Sequence, residues 1–86
     1  MNINEYCEMM GYEDVIILDN YEDAFIGIST DGRAVYDYDM MVTCLMSQDG
    51  MDAEGAVEWI EYNTLRALDY LDIAVRPIVL HSDNLQ

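Results

Sequence analysis

In three stretches of the chain, hydrophobic residues recur three and four positions apart, which is the spacing of one face of an α-helix. The first stretch, residues 3–10, predicts a short helix with Asn2 or Asn4 as its N-cap and Gly11 as its end. An Asn side chain accepts hydrogen bonds from the free N–H groups of a helix start, and Gly readily takes the left-handed conformation that ends a helix.

The second and third helical stretches follow one another along the chain. Residues 40–48 predict a helix capped by Asp37 or Asp39, and Asp52 is placed to cap a long helix over residues 53–71. Residues of the long helix that share one face are expected to point into the core. They are Val57, Ile60, Thr64, Ala67, Leu68 and Leu71.

Between the first and second helices, short β-branched runs alternate with turn residues and predict strands. Residues 15–18 form a continuous apolar run typical of a buried strand, and residues 24–29 and 33–36 are expected to pair as a hairpin. Asp31 and Gly32 lie between the last two runs and form the strongest short hairpin signal in the chain.

A last extended stretch, residues 73–80, contains Pro77, which has no N–H to donate and restricts the stretch to an edge strand or an irregular segment. The element order predicts an α+β fold. We expect one domain over residues 1–86, with a small antiparallel sheet of two to four strands packed on one face by two to three helices. Residues 80–86 are expected to form a frayed tail.

The charge of the chain changes what these elements can do. It carries 18 acidic residues, three arginines and no lysine, for a net charge of −15 over 86 residues. Disorder requires low hydrophobicity together with high charge, whereas this chain is 52% hydrophobic and is expected to fold. A field of this sign repels nucleic acids and anionic membranes and attracts the basic grooves of proteins that bind DNA or RNA.

The residues that usually carry chemistry are few. His81 has no nearby base, nucleophile or metal ligand in the sequence, and Cys7 and Cys44 lack both metal-site spacing and basic neighbours. The acidic residues do not match the spacing of a calcium loop, and no Gly-rich phosphate loop is present. We therefore expect no enzyme activity, no cofactor, no dedicated metal site and two reduced thiols.

Carboxylates of the long helix form the most informative pattern. Glu54, Glu58 and Glu61 are four and three residues apart and line one face without interleaved lysine. A solvated polar face is one interpretation, and a surface that replaces the phosphates of a nucleic acid is the other. Tyrosines lie among further acids near the hairpin and suit a groove lined by Arg and Lys. The predicted partner-contact residues are Asp19, Glu22, Asp23, Asp37, Asp39, Glu54, Glu58, Glu61, Tyr21 and Tyr38.

Part of the chain resembles a protein group. Between Asp31 and Leu68 it reads Asp-Gly-Arg-Ala-Val-Tyr-Asp-Tyr-Asp, then Asp-Gly-Met and Glu-Trp-Ile-Glu-Tyr-Asn-Thr-Leu-Arg-Ala-Leu, and this block resembles small phage and prophage proteins of unassigned reaction. The resemblance implies a phage setting and no catalytic residue. By class, such acidic proteins are similar to DNA-mimic inhibitors of host defence, including anti-CRISPR proteins. Met40 and Thr43 stand where that group has Lys and Glu, which leaves a Met-rich helix face.

Two functions remain open at this point. The first is a phage-type inhibitor that mimics nucleic acid and blocks the basic groove of a host defence nuclease, with a Cas9-like effector as the best guess. The second is a structural or regulatory phage protein that forms a homodimer or another homo-oligomer, or binds a basic partner, through Met40, Met41 and Met46. The chain starts without a basic, apolar leader, so we expect it in the cytoplasm of the host cell.

Overall fold

The computed structural model describes residues 3–12 and 14–81. A 3₁₀ turn at Glu22–Ala24 precedes the sheet, and a π turn at Ile60–Thr64 joins two helices into one long helix spanning residues 53–68. The elements in chain order are α1 (Ile3–Met10), β1 (Phe25–Ile28), β2 (Ala34–Asp37), α2 (Tyr38–Asp49), α3 (Ala53–Trp59), α4 (Leu65–Leu68) and β3 (Ile78–Leu80). The α+β class is confirmed.

The sheet has three strands in the order β1-β2-β3 and is mixed. Strands β1 and β2 form the predicted antiparallel hairpin, in which Ile28 lies opposite Ala34. Strand β3 pairs parallel to β2, with Val35 opposite Ile78, so the expectation of a wholly antiparallel sheet is wrong for the third strand. A parallel partner needs a long crossover connection, and the helices α2, α3 and α4 between β2 and β3 supply it. Of the predicted extended stretch 73–80, only Ile78–Leu80 forms a strand; it follows Pro77 and lies at the edge of the sheet, whereas residues 73–75 form a turn.

The predicted helix ends are largely confirmed. Asp37 caps α2 by accepting from the Met40 N–H, and Asp52 caps α3 by accepting from the Gly55 N–H. Gly11 follows α1 with φ +85°, the left-handed conformation expected of a helix stop. Of the two proposed caps of α1, Asn4 lies inside the helix, and Asn2 lies outside the described residues.

The long helix differs from its predicted register. Ile60 and Leu68 are buried as expected, but Val57 and Ala67 are exposed, and Ala56 is buried in their place. The buried positions thus recur every four residues. In a regular α-helix, residues four apart differ by about 40° more than a full turn, so such positions would drift away from the core. The Leu65 N–H donates to the Ile60 carbonyl, five residues back, and this wider π turn takes up the rotation.

The apolar run at residues 15–18 is extended but is not a strand, so that prediction is wrong. Val15, Ile17 and Leu18 pack on the core cluster without joining the sheet, and the Leu18 N–H donates to the Tyr36 hydroxyl at 2.9 Å. A side chain thus supplies the acceptor that a neighbouring strand would have provided, which lets an apolar segment lie on the core outside the sheet.

The core lies between the sheet and the helices. Its fully buried side chains include Tyr36, Met41 and Ile60, and the Tyr36 ring meets Phe25 edge to face. The frayed tail predicted from residue 80 is wrong at its start, because Leu80 ends β3 and the His81 ring packs on Tyr38 with centroids 4.5 Å apart. Residues 82–86 of that prediction lie outside the described residues.

Candidate partner-binding surface

The described acidic side chains lie almost entirely on the surface. Each of them is exposed except Asp37, which is buried at the start of α2. The exposed acids are distributed over the helices, the loops and the hairpin tip, and are not gathered in one pocket. The negative field is therefore a property of the whole described surface.

Two of the three arginines have side chains that are largely covered by the rest of the fold. The side chains of Arg33 and Arg76 are only 20% and 27% exposed. The Arg33 Nε donates to the Arg76 carbonyl at 2.6 Å, and the Arg76 guanidinium donates to the Leu71 carbonyl at 3.0 Å. Arg33 thus ties the hairpin to the chain before β3, and Arg76 ties that chain to the residues that follow the long helix. Among the described residues Arg66 is the exposed cation, and it forms no ion pair within 4.0 Å there.

Three of the predicted contact residues have structural positions instead. Asp37 is buried and caps α2, Tyr21 is buried with its hydroxyl 2.8 Å from the Thr64 hydroxyl, and Tyr38 is buried beneath Glu61. A partner can reach little of these side chains, so the expectation that they are contact residues is corrected. Their polar groups made them look like surface residues, but each side chain forms a hydrogen bond within the fold.

The predicted acids of the loop before β1 are exposed and held in place by α2. Asp19, Glu22 and Asp23 are all exposed around the turn at Asn20, whose φ is +73°. The Gln48 amide donates to the Asn20 carbonyl at 3.1 Å and ties this turn to the end of α2. The loop therefore presents three carboxylates from a tethered backbone, and Asp39 adds an exposed carboxylate near the start of α2.

The carboxylates of the long helix divide into two groups. Glu58 and Glu61 line an open groove of about 540 Å³ together with Val57, Tyr62 and Arg66. Glu54 is exposed one turn earlier and does not line the groove. The predicted stripe is therefore not uniform, since only two of its three carboxylates border a concave surface.

Glu61 is the most firmly oriented carboxylate of the groove. Its Oε2 accepts a 2.8 Å hydrogen bond from the buried Tyr38 hydroxyl. Burial, and then the neighbouring Glu61, raise the pKa of Tyr38 to about 12, so this phenol remains a protonated donor into the alkaline range where an ordinary tyrosine ionises. Among the described residues, the other carboxylate oxygen of Glu61 has no hydrogen-bond donor.

The groove was missed by the sequence analysis. The exposed Tyr62 and Arg66 were not among the predicted site residues, although Glu58, Tyr62 and Arg66 are spaced four apart, and that spacing places residues on one helix face. The Met-rich face is also smaller than expected. Met40 and Met46 are exposed, but Met41 is fully buried in the core.

The described residues contain no group of three or more His, Cys, Asp or Glu side chains placed to hold a metal ion. Cys7 and Cys44 are free thiols, as expected, and both are buried, which raises their pKa values above the ordinary range. No helix in the described part of the chain has the length and apolar character needed to cross a membrane.

Comparison with known proteins found no relative of this chain. No protein-family model matches the chain, and neither a curated protein nor a solved structure matches it at a significant level.

Proposed function

We propose that the protein is a phage-type inhibitor whose acidic surface imitates nucleic acid and occupies the basic groove of a host defence nuclease. A Cas9-like effector is the first candidate within that class. The proposal would place the protein in the cytoplasm of a bacterial host. It rests above all on one observation: the described surface is lined with exposed carboxylates, while Arg33 and Arg76 are largely covered and donate to backbone carbonyls.

Two exposed surfaces support local mimicry in addition to a general field. One is the tethered loop with Asp19, Glu22 and Asp23, and the other is the long helix with Glu54 and Glu58. Neighbouring carboxylates on a helix face lie about 6 Å apart, close to the phosphate spacing of a nucleic-acid strand. A basic groove would gain the same charge pairing from them and would be reached quickly through electrostatic steering.

Competition with DNA tests this proposal. The protein is mixed with a guide-loaded Cas9-type nuclease before target DNA is added, at about 50 and 200 mM salt. We expect DNA binding to be blocked at low salt and partly restored at high salt. Normal DNA binding in both conditions would exclude this nuclease as the partner.

A matched pair of double variants separates mimicry from net charge. The variant Glu54→Gln with Glu58→Gln neutralises two exposed acids of the long helix, whereas Glu8→Gln with Asp14→Asn neutralises two exposed acids near the N-terminus. If the long helix replaces phosphates, its variant weakens inhibition about tenfold, on the scale of two lost charge pairs, and the control changes it much less. Equal weakening would refute a specific role of the long helix.

A homo-oligomer is the second candidate, and the exposed Met40 and Met46 on α2 favour it. Two copies of net charge −15 repel each other, so this association would strengthen with salt. Light scattering at micromolar concentration and both salt levels tests it. A dimer that dissociates in the variant Met40→Ser with Met46→Ser would support this candidate. A monomer under all conditions would exclude it.

A further inference from the structure

The groove on the long helix combines acidic, apolar and aromatic side chains. Its lining contains two carboxylates, Glu58 and Glu61, an apolar side chain, Val57, and the Tyr62 ring, which is 67% exposed. Glu61 is oriented from beneath by Tyr38, which is itself 6% exposed. The groove is therefore partly organised before any partner arrives.

These features match the chemistry of a guanidinium group better than that of an ammonium group. Guanidinium is planar, donates in parallel to carboxylate oxygens, stacks on aromatic rings and is weakly hydrated. Lysine would satisfy the carboxylates but would gain less from the Tyr62 ring and from the apolar Val57. Lipid phosphates and nucleic acid are disfavoured, because Glu58 and Glu61 would meet phosphates of the same sign.

We propose that this groove receives an arginine side chain of a partner protein, with Glu58 and Glu61 as its acceptors and Tyr62 as its stacking surface. The inference deepens the proposed function by naming a contact residue of the basic partner, and for the identity of that partner it rests on the proposed function. A second copy of this chain is a poor occupant, because two chains of net charge −15 repel each other.

Arg66 allows a direct test of the proposal, because its positive charge repels the proposed arginine. It lines the groove without an ion pair within 4.0 Å among the described residues. If the groove receives a cation, Arg66→Gln removes a repulsion and tightens binding. If it receives an anion, the same change removes an attraction and weakens binding.

Octa-arginine and octa-lysine peptides are suitable probes, with binding followed by calorimetry and by backbone amide NMR shifts at about 150 mM salt. We expect octa-arginine to bind about fivefold more tightly than octa-lysine, with the largest shifts at residues 57–66. Tyr62→Leu keeps an apolar side chain and should bring the ratio of the two affinities close to one. Equal affinity of the two peptides for the unchanged protein would overturn the proposal.

Matched variants exclude a purely general charge effect. Glu58→Gln with Glu61→Gln should weaken octa-arginine binding about three- to tenfold more than Glu8→Gln with Asp14→Asn, which removes the same charge outside both the groove and the long helix. Arg66→Gln should tighten binding two- to fivefold, by the scale of an exposed charge pair. Asn63→Asp makes the same change in net charge on an exposed position of the same helix and should have a smaller effect. Equal effects within either pair would overturn the proposal.

The two proposals fail in distinguishable ways. If the protein blocks DNA binding by the nuclease but does not discriminate between the two peptides, the arginine groove is wrong and mimicry remains. If the peptides are discriminated as expected but the nuclease binds DNA normally, the groove is supported and the nuclease is not its partner.

Discussion

Removing the hydroxyl of Tyr36 should loosen the contact between the sheet and residues 15–18, which lead into the turn with Asp19. The Tyr36 side chain is 0% exposed, and its hydroxyl accepts the Leu18 N–H at 2.9 Å. Leu18 immediately precedes the turn that presents Asp19. In the variant Tyr36→Phe the ring remains, so its edge-to-face contact with Phe25 at 5.7 Å is kept and only the hydrogen bond is lost.

The loss should be larger than that of an average hydrogen bond. A typical intramolecular hydrogen bond contributes about 1 kcal/mol, and a buried donor left without an acceptor costs about 1–3 kcal/mol. Leu18 is half-buried, so water can replace part of the lost bond. We therefore expect the free energy of unfolding to fall by about 1–1.5 kcal/mol. For a domain of this size that lowers the melting temperature by about 5–10 °C.

Urea unfolding followed by circular dichroism measures this difference, with Tyr70→Phe as the control because Tyr70 is 90% exposed. Amide hydrogen exchange adds a local measurement, since the Leu18 amide should lose protection in Tyr36→Phe and keep it in Tyr70→Phe. A change below about 0.3 kcal/mol together with unchanged protection at Leu18 would refute the tether.

Three further outcomes are expected from the Tyr38 hydroxyl, the net charge and the cap of α3. Folding raises the pKa of Tyr38 from 10.0 to about 12. The stability that the protonated Tyr38 contributes is therefore complete below pH 10 and is lost as the pH rises through 12. The variant Tyr38→Phe should reduce this alkaline loss of stability in melting experiments. Because the charge is −15, the melting temperature should rise with sodium chloride, and a flat response would mean that repulsion does not limit stability. Asp52→Ala removes the acceptor of the Gly55 N–H at 2.7 Å and should lower the free energy of unfolding by about 1 kcal/mol, whereas Asp52→Asn should nearly retain it.

Local features of the fold were predictable because their causes are local. Asp37 and Asp52 cap helices through side-chain bonds to N–H groups three residues ahead, and Gly11 ends α1 through its own backbone conformation. The Asp31 and Gly32 hairpin signal depends in the same way on a few neighbouring residues.

Features that depend on distant residues were not predictable in this way. The parallel pairing of β3 with β2 depends on where the helices return the chain, and the π turn accompanies a contact between Thr64 and Tyr21, 43 residues apart. The segment at residues 15–18 has the composition of a strand, but the Tyr36 hydroxyl supplies its acceptor. Each outcome is decided by partners that a local pattern does not contain.

The candidate surface shows the same division. The sequence by itself determined the sign and strength of the field, because charge depends on composition: 18 acids, three arginines and no lysine. Only the tertiary structure decided which charges a partner can meet. It buried Asp37, Tyr21 and Tyr38, drew Arg33 and Arg76 inward, and set Glu58 and Glu61 beside Tyr62 in one groove. Exposure and convergence arise from long-range contacts, and no local pattern of residues determines them.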